Sequence, residues 1–180
     1  MNKKYESEKL LKQVNQHFEK AVCESAHSFH HFSFGTINNQ NVEQRTVILR
    51  RWALKQRTIM FYSDIRSPKI MQLRQHPICS ALFYSKDDKL QCRFDCIAHV
   101  HHNTCLSKHL FNQTTHLQRD CYRTVQPPSS PIDLNKNKFK ANPQDNFAVV
   151  ICKFNRLDVL SLDRSNHRRY QYLWDQYNNL

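Results

Sequence analysis

One glycine, Gly35, serves a chain of 180 residues. That scarcity constrains the fold more than any other feature. Glycine lets backbone N–H groups close on a phosphate, and both the P-loop and the Rossmann turn need several at fixed spacing. Neither can be built here. Any phosphate that this chain holds must be met by side chains and by the N-terminus of a helix.

The stretch from Gln44 to Phe94 offers such a place. Arg45-Thr46-Val47-Ile48-Leu49-Arg50 alternates with an arginine at each end. The spacing predicts a strand over Arg45–Lys55, with Thr46, Ile48 and Arg50 on one face and Arg45, Val47, Leu49 and Arg51 on the other. Its arginines suit a solvated edge or a bound anion equally well. Gln56-Arg57 reads as a turn and Thr58–Tyr62 as a strand. Ser67 is then placed to cap a helix that has Pro68 at its first position and stops before His76 because Pro77 follows. Ser63, Arg66, Ser67 and Lys69 gather at that helix start. Cations there are unfavourable against the helix dipole unless an anion is present, which favours a phosphate ligand over an ordinary capped helix.

The remainder reads as support for one domain spanning 1–180. Residues 1–27 form an N-terminal helical segment, with Leu10, Leu11, Val14, Phe18, Ala21 and Val22 at helical spacing. Ser28–Ile37 suits a strand and Asn38–Asn41 a turn. Ile78–Ser85 reads as a buried strand, Lys86–Lys89 as a turn and Leu90–His102 as a long strand. This is an antiparallel meander, mainly β with flanking helices, of the class that closes into small barrels. A second helix is expected over Thr104–Val125, ended by the Gln126–Pro131 linker, with residues 126–145 as a loop. Strand character returns over Phe147–Leu162. A turn at Asp163–Asn166 then leads to a last strand, His167–Trp174.

Composition narrows the function. Hydrophobic residues make up 39%, enough for a packed core. No apolar run is long enough to span a membrane, and the charged start lacks a signal-peptide pattern, so a soluble, cytoplasmic protein is expected. Seven cysteines at irregular spacing, Cys79, Cys96 and Cys152 within apolar runs, fit reduced and mostly buried thiols. His99 and His101 share a face, but no third ligand lies at a usable spacing, so no metal site is expected. The net charge of +12 attracts anions, yet no run of five cations marks a basic tail.

The series Arg45–Arg50, then Phe61-Tyr62-Ser63-Asp64-Ile65-Arg66-Ser67-Pro68-Lys69, then Gln91-Cys92-Arg93-Phe94, closely resembles the pyridoxamine 5′-phosphate oxidase family. The ending His167-Arg168-Arg169-Tyr170 is similar to that family's C-terminal strand. The resemblance implies an FMN-binding split β-barrel, antiparallel and Greek-key-like, and a homodimer with FMN at the interface. It implies that Arg45 contacts the phosphate or ribityl chain. Thr46, Val47 and Ile48 would lie along the ring. Tyr62, Ser63, Ser67 and Lys69 would hold the phosphate. Gln91 would bond the cofactor, and Arg169 would reach it from the other subunit. Pro68 replaces an arginine usual in the oxidases, and Arg66 is the nearest cation to stand in for it. Arg50 replaces the substrate-phosphate lysine. His109, Gln113 and Leu117 fall where the oxidases carry the tyrosine, arginine and serine that grip the substrate phosphate. Ser165 falls in place of the arginine of the C-terminal Arg-x-His pair, leaving His167. Arg50 and His167 are therefore the residues expected on the substrate side.

Three functions follow for testing. The first is an FMN-dependent oxidoreductase acting on a small, potentially phosphorylated substrate, the flavin supplying the chemistry so that no acid–base triad is needed. The second is a flavin carrier, sensor or stress protein without turnover, suggested by the altered phosphate grip. The third is a nucleic-acid binder, suggested by charge alone and lacking a recognised motif.

Overall fold

The computed structural model describes residues 3–131, 142–162 and 167–174. Helix α1 (Lys3–Cys23) is followed by β1 (His31–Asn38), β2 (Asn41–Ile48), β3 (Arg51–Ala53), β4 (Thr58–Asp64) and α2 (Pro68–Gln75). Then come β5 (Ile78–Ser85), β6 (Leu90–His101), α3 (Cys105–Asn112), α4 (His116–Asp120), a 3-10 turn at Pro143–Asn146, β7 (Phe147–Ser161) and β8 (Arg168–Leu173). Every strand pairing is antiparallel, in the order β2-β1-β5-β6-β7-β4-β3, with β8 paired to β7. The expectation for Asp163–Asn166, including Ser165, and residues 132–141 of the loop expected over 126–145 fall outside the described residues.

Phe18 explains why α1 belongs to the barrel. It is fully buried, stacks on Trp52 at 4.2 Å between ring centroids and meets Phe83 edge-on at 4.7 Å. Val14 and Ala21, one turn to either side, are also fully buried. The helix closes the barrel like a plug, and Trp52 fixes its register by donating Nε1–H to Asn15 at 2.8 Å. Each such apolar side chain contributes roughly 1.5–3 kcal/mol on burial. A smaller apolar layer, Met60, Leu110, Phe111, Phe147 and Val149, packs α3 against the other face of the sheet.

Three expected elements differ from the structure. The strand expected over Arg45–Lys55 is two strands, because the chain leaves β1 after Ile48 and crosses to β4. Leu49 N–H bonds the His30 carbonyl and Arg50 N–H the Met60 carbonyl, each at 2.8 Å. The β5 strand is not buried on both faces: Cys79, Ala81, Phe83 and Ser85 point inward, while Ile78, Ser80, Leu82 and Tyr84 face out. The helix expected over Thr104–Val125 is two short helices with a break after Asn112. Thr104 and Thr115 each accept from the residue three positions on, so two N-caps are present where one helix was expected. The strand character expected over Phe147–Leu162 is β7, with a register shift opposite Asp95 and Cys96 that leaves Asn155 without a partner on β6.

Turns are made without glycine. Asn39, Arg57, Lys89, Asn103 and Ser129 take positive φ instead. Gly35 is used for close approach within the sheet: a Cβ there would lie 2.8 Å from the Ser80 hydroxyl on the neighbouring strand.

Candidate functional site

The sheet's edge strands do not pair with each other, and the gap between β2 and β4 opens into a cavity of ≈ 440 Å³ roofed by α4. That size falls in the range of about 300–1,000 Å³ usual for small-molecule sites. Seven sequence-predicted residues line it: Thr46, Val47, Ile48 and Arg50 from the β2 side, Tyr62 and Ser63 from β4, and Lys69 from α2.

At one end, the Ser63 and Ser67 hydroxyls lie 3.0 Å apart, and Lys69 Nζ donates to both, at 3.3 and 3.1 Å. Ser67 occupies the N-cap position of α2, but its side chain makes no capping bond. Its hydroxyl is turned to Ser63 and Lys69 instead. Burial, and next the charge of Arg45, push the Lys69 ammonium below its ordinary pKa. Two buried hydroxyls and a destabilised cation at a helix N-terminus fit an anion with several acceptor oxygens. The residues therefore suit a phosphate group, side chains doing what glycines cannot do here.

The turn that presents this cluster is built on Asp64. Its carboxylate accepts from Arg66 N–H at 2.8 Å and from the Arg66 guanidinium at 3.0 and 2.6 Å. Arg66 also donates to the Val125 carbonyl, tying the segment after α4 to the turn. Arg66 thus does not line the cavity; its partner is Asp64. Arg45 likewise sits behind the cavity wall. Its guanidinium donates to Thr36 and Gln72 and pairs with Glu43 at 3.2 Å.

At the other end, Arg50 lies over the Tyr62 ring, 5.6 Å from its centroid. Burial raises the Tyr62 and Tyr122 phenols above their ordinary pKa. Leu117, Gln118, Cys121, Tyr122 and Pro128 complete that end of the wall.

Gln91, Arg169 and His167 lie away from the cavity. The 15-residue β7 accounts for this: β4 pairs with its first half and β8 with its second. Gln91, Leu160 and Arg169 stand opposite one another across β6, β7 and β8, in one row on one face. Arg169 is exposed and held by Asp158, whose carboxyl is pulled down to about 2, first by that bond. His167 is exposed just before β8. Among the described residues, no group of three His, Cys, Asp or Glu could hold a metal ion.

Several residues of the site went unread in the sequence. The Asp64–Arg66 pair was visible as an acid and a base two apart in a turn. The Thr115–Gln118 capping pair signals the start of α4 and, with it, the cavity roof. The Glu43–Arg45–Gln72 network joins distant segments and has no local signal.

The strand order, the split between β2 and β4 and the hydroxyl–ammonium cluster define an FMN-binding split barrel of the pyridoxamine 5′-phosphate oxidase type. Residues 8–102 match the family described as pyridoxamine 5′-phosphate oxidase, FMN-binding domain, and the chain belongs to that family. Among solved structures, a pyridoxamine 5′-phosphate oxidase-related, FMN-binding protein from Nostoc punctiforme is similar at 16% identity and a TM-score of 0.74, covering 91% of each chain. PhzG from Burkholderia lata is similar at 13% identity and 0.73, over 93% of this chain and 87% of its own. A protein from Clostridium acetobutylicum related to general stress protein 26 is similar at 10% identity and 0.61, over 92% and 95%. These likenesses concern the fold. No curated protein matches the chain in sequence.

Proposed function

We propose that the chain is an FMN-dependent oxidoreductase of a small substrate, working as a homodimer. The observation that carries this reading is the Ser63–Ser67–Lys69 cluster at one end of a cavity whose other end holds Arg50. FMN when bound supplies hydride chemistry. Ser63, Ser67 and Lys69 hold its phosphate, and Arg45 adds positive potential from behind the wall. Thr46, Val47 and Ile48 would lie along its ring, with Leu117 and Gln118 of α4 bordering the cavity on the other side. Tyr62 braces Arg50, which faces the substrate.

The row Gln91–Leu160–Arg169 supports the dimer. It is presented outward beside Tyr84, 50% exposed, and Leu82, 36% exposed, a surface suited to covering the cavity of a second copy. His167 reaches the substrate side from that second copy. All seven cysteines are free, which supports a reducing compartment such as the cytoplasm. Among the described residues, no helix is long and apolar enough to cross a membrane.

Purified protein should be yellow or take up added FMN, and substrate should bleach the flavin band anaerobically. Colourless protein that refuses FMN overturns the reading. Mixing Lys69→Ala chains with Arg169→Ala chains tests the dimer, since a mixed dimer keeps one intact site.

A second reading, a flavin carrier or sensor without turnover, draws on Gln113, which bonds Arg51 and His109 rather than facing the cavity. FMN uptake without bleaching by any substrate would favour it. Nucleic acid is the weaker partner, because Arg45, Arg66, Arg93, Arg123, Arg156 and Arg169 each pair with an acidic side chain.

A further inference from the structure

A second cavity, of ≈ 340 Å³, lies where α1 crosses the start of β6, the end of β7 and the start of β8. Its size is within the range of about 300–1,000 Å³ usual for small ligands. Gln13, Gln16 and Lys20 line it from α1, at a spacing that keeps them on one side of the helix, beside the buried stripe of Val14, Phe18 and Ala21. Ser161 and Arg168 line it from the sheet, paired with each other across β7 and β8. Strand alternation turns that row away from Leu160 and Arg169, the row offered above to a second copy. Arg168 shares its side of β8 with Tyr170 and Tyr172, whose hydroxyls bond Glu6 and Ser7 of α1. The cavity has no lining residue in common with the flavin cavity, so it stands apart from the flavin reading.

The lining is rich in donors that the fold itself does not use. Among the described residues, the side chains of Gln13, Gln16, Lys20 and Ser161 make no hydrogen bond or ion pair. Arg168 Nε–H is buried with no acceptor. A buried donor without a partner is costly, and such a group beside a cavity points to a ligand. The carboxylate at this cavity, Asp88, is already engaged: it accepts from the Ser85 hydroxyl and lies 3.8 Å from His17 Nδ1. Lys20 and Arg168 thus stand without an acidic partner among the described residues.

We propose that this cavity binds a phosphate group, free or carried on a small molecule, between Lys20 and Arg168. The ammonium and the guanidinium supply charge-assisted donors, and Ser161 with the two glutamines supplies neutral ones. These donors come from a helix on one side and two strands on the other. That arrangement suits the tetrahedral oxygens of a phosphate better than the two coplanar oxygens of a carboxylate. The ligand bridges α1 to β7 and β8, reinforcing the contact that Tyr170 and Tyr172 make with the same helix.

The experiment titrates the full chain, loaded with FMN and freed of its excess, by calorimetry at low salt with inorganic phosphate, glycerol 3-phosphate and acetate. At least one of the two phosphates should bind about tenfold or more tighter than acetate, and the tighter of the two identifies the source of the group. Lys20 is exposed and Arg168 half-buried, so Lys20→Met and Arg168→Met should fold, and each should weaken the binding about tenfold. Lys69→Ala and Arg50→Gln, in the flavin cavity, should change it less than about twofold. The proposal is overturned if neither phosphate binds or if acetate binds as tightly. It is overturned equally if Lys20→Met and Arg168→Met stay within about twofold of the parent, or if Lys69→Ala or Arg50→Gln abolishes the binding, which would assign it to the flavin cavity.

Discussion

Replacing Lys69 by alanine is the most direct challenge to the phosphate site. The ammonium sits 3.1 Å from Ser67 Oγ and 3.3 Å from Ser63 Oγ, so a phosphate seated on those hydroxyls also lies within its reach. A hydrogen bond to a charged group contributes about 1.5–3 kcal/mol, which converts to a roughly 10- to 150-fold rise in the FMN dissociation constant. The two hydroxyls still bond each other at 3.0 Å without the lysine, so the cluster should keep its shape. The assay is quenching of flavin fluorescence on titrating apo-protein, run in parallel with riboflavin, which lacks the phosphate. Riboflavin affinity should change less than about twofold in the same variant, since no charged contact is lost. The pH dependence adds a second check. Burial and Arg45 lower the Lys69 pKa in the free protein, and a bound dianion raises it again. Affinity is therefore full below the lowered free value and weakens as pH climbs above it. The variant should be flat over that window. The reasoning fails if FMN affinity in Lys69→Ala stays within about twofold of the parent, or if riboflavin suffers equally.

Asp158→Asn should lower stability at neutral pH. Its folded pKa of about 2, against an ordinary 3.8, gives a ceiling near 2.4 kcal/mol, and because its cover is partly solvated arginines the expected loss is about 1 kcal/mol. A depressed carboxylate pKa stabilises above the unfolded value, so the gap in melting temperature, about 2–4 °C at pH 7, should close as pH falls toward 2. Phe18→Ala should cost about 3–5 kcal/mol, read in a denaturant melt, and a loss below about 1 kcal/mol would show that α1 is not the plug described. Arg66→Ala should leave the buried Asp64 carboxylate unpaired, cost about 2–4 kcal/mol and hasten proteolysis near residues 124–128, while FMN affinity falls less than in Lys69→Ala.

Much of the site was legible because its signals are local. Ser63, Ser67 and Lys69 stand within one turn of chain, and Pro68 marks the helix start, so their meeting follows from adjacent residues. Val47 and Ile48 were legible as wall residues through the resemblance, though the strand that carries them ends sooner than periodicity suggested. That end depends on β4 offering the Met60 carbonyl to Arg50, a partner ten residues away. Arg45 illustrates the limit. Its type and position point to an anion, yet Glu43, Thr36 and Gln72, from three different segments, converge on it first. The alternation of β5 was hidden because Ile78, Leu82 and Tyr84 are apolar on the outer face as well, leaving no polar period to read. The separation of Gln91 and Arg169 from the cavity was beyond sequence reasoning, since it depends on how the long β7 divides between two partners.

The Tyr170 and Tyr172 hydroxyls close on Glu6 and on the Ser7 carbonyl, across separations of 164 and 165 residues. Closing a loop that long costs about 2.5 kcal/mol more chain entropy than closing one of about ten residues. That cost falls on the contact of β8 with α1; β8 reaches β7 through a short connection, with Arg168 opposite Ser161. Until β8 pairs with it, the second half of β7 is a bare strand edge able to recruit another chain. Arg156 and Asp158 lie on that edge, opposite Leu173 and Gln171. Besides their place in the finished ion-pair cluster, they act as gatekeepers for the nascent chain, charges that discourage intermolecular strand pairing before β8 arrives.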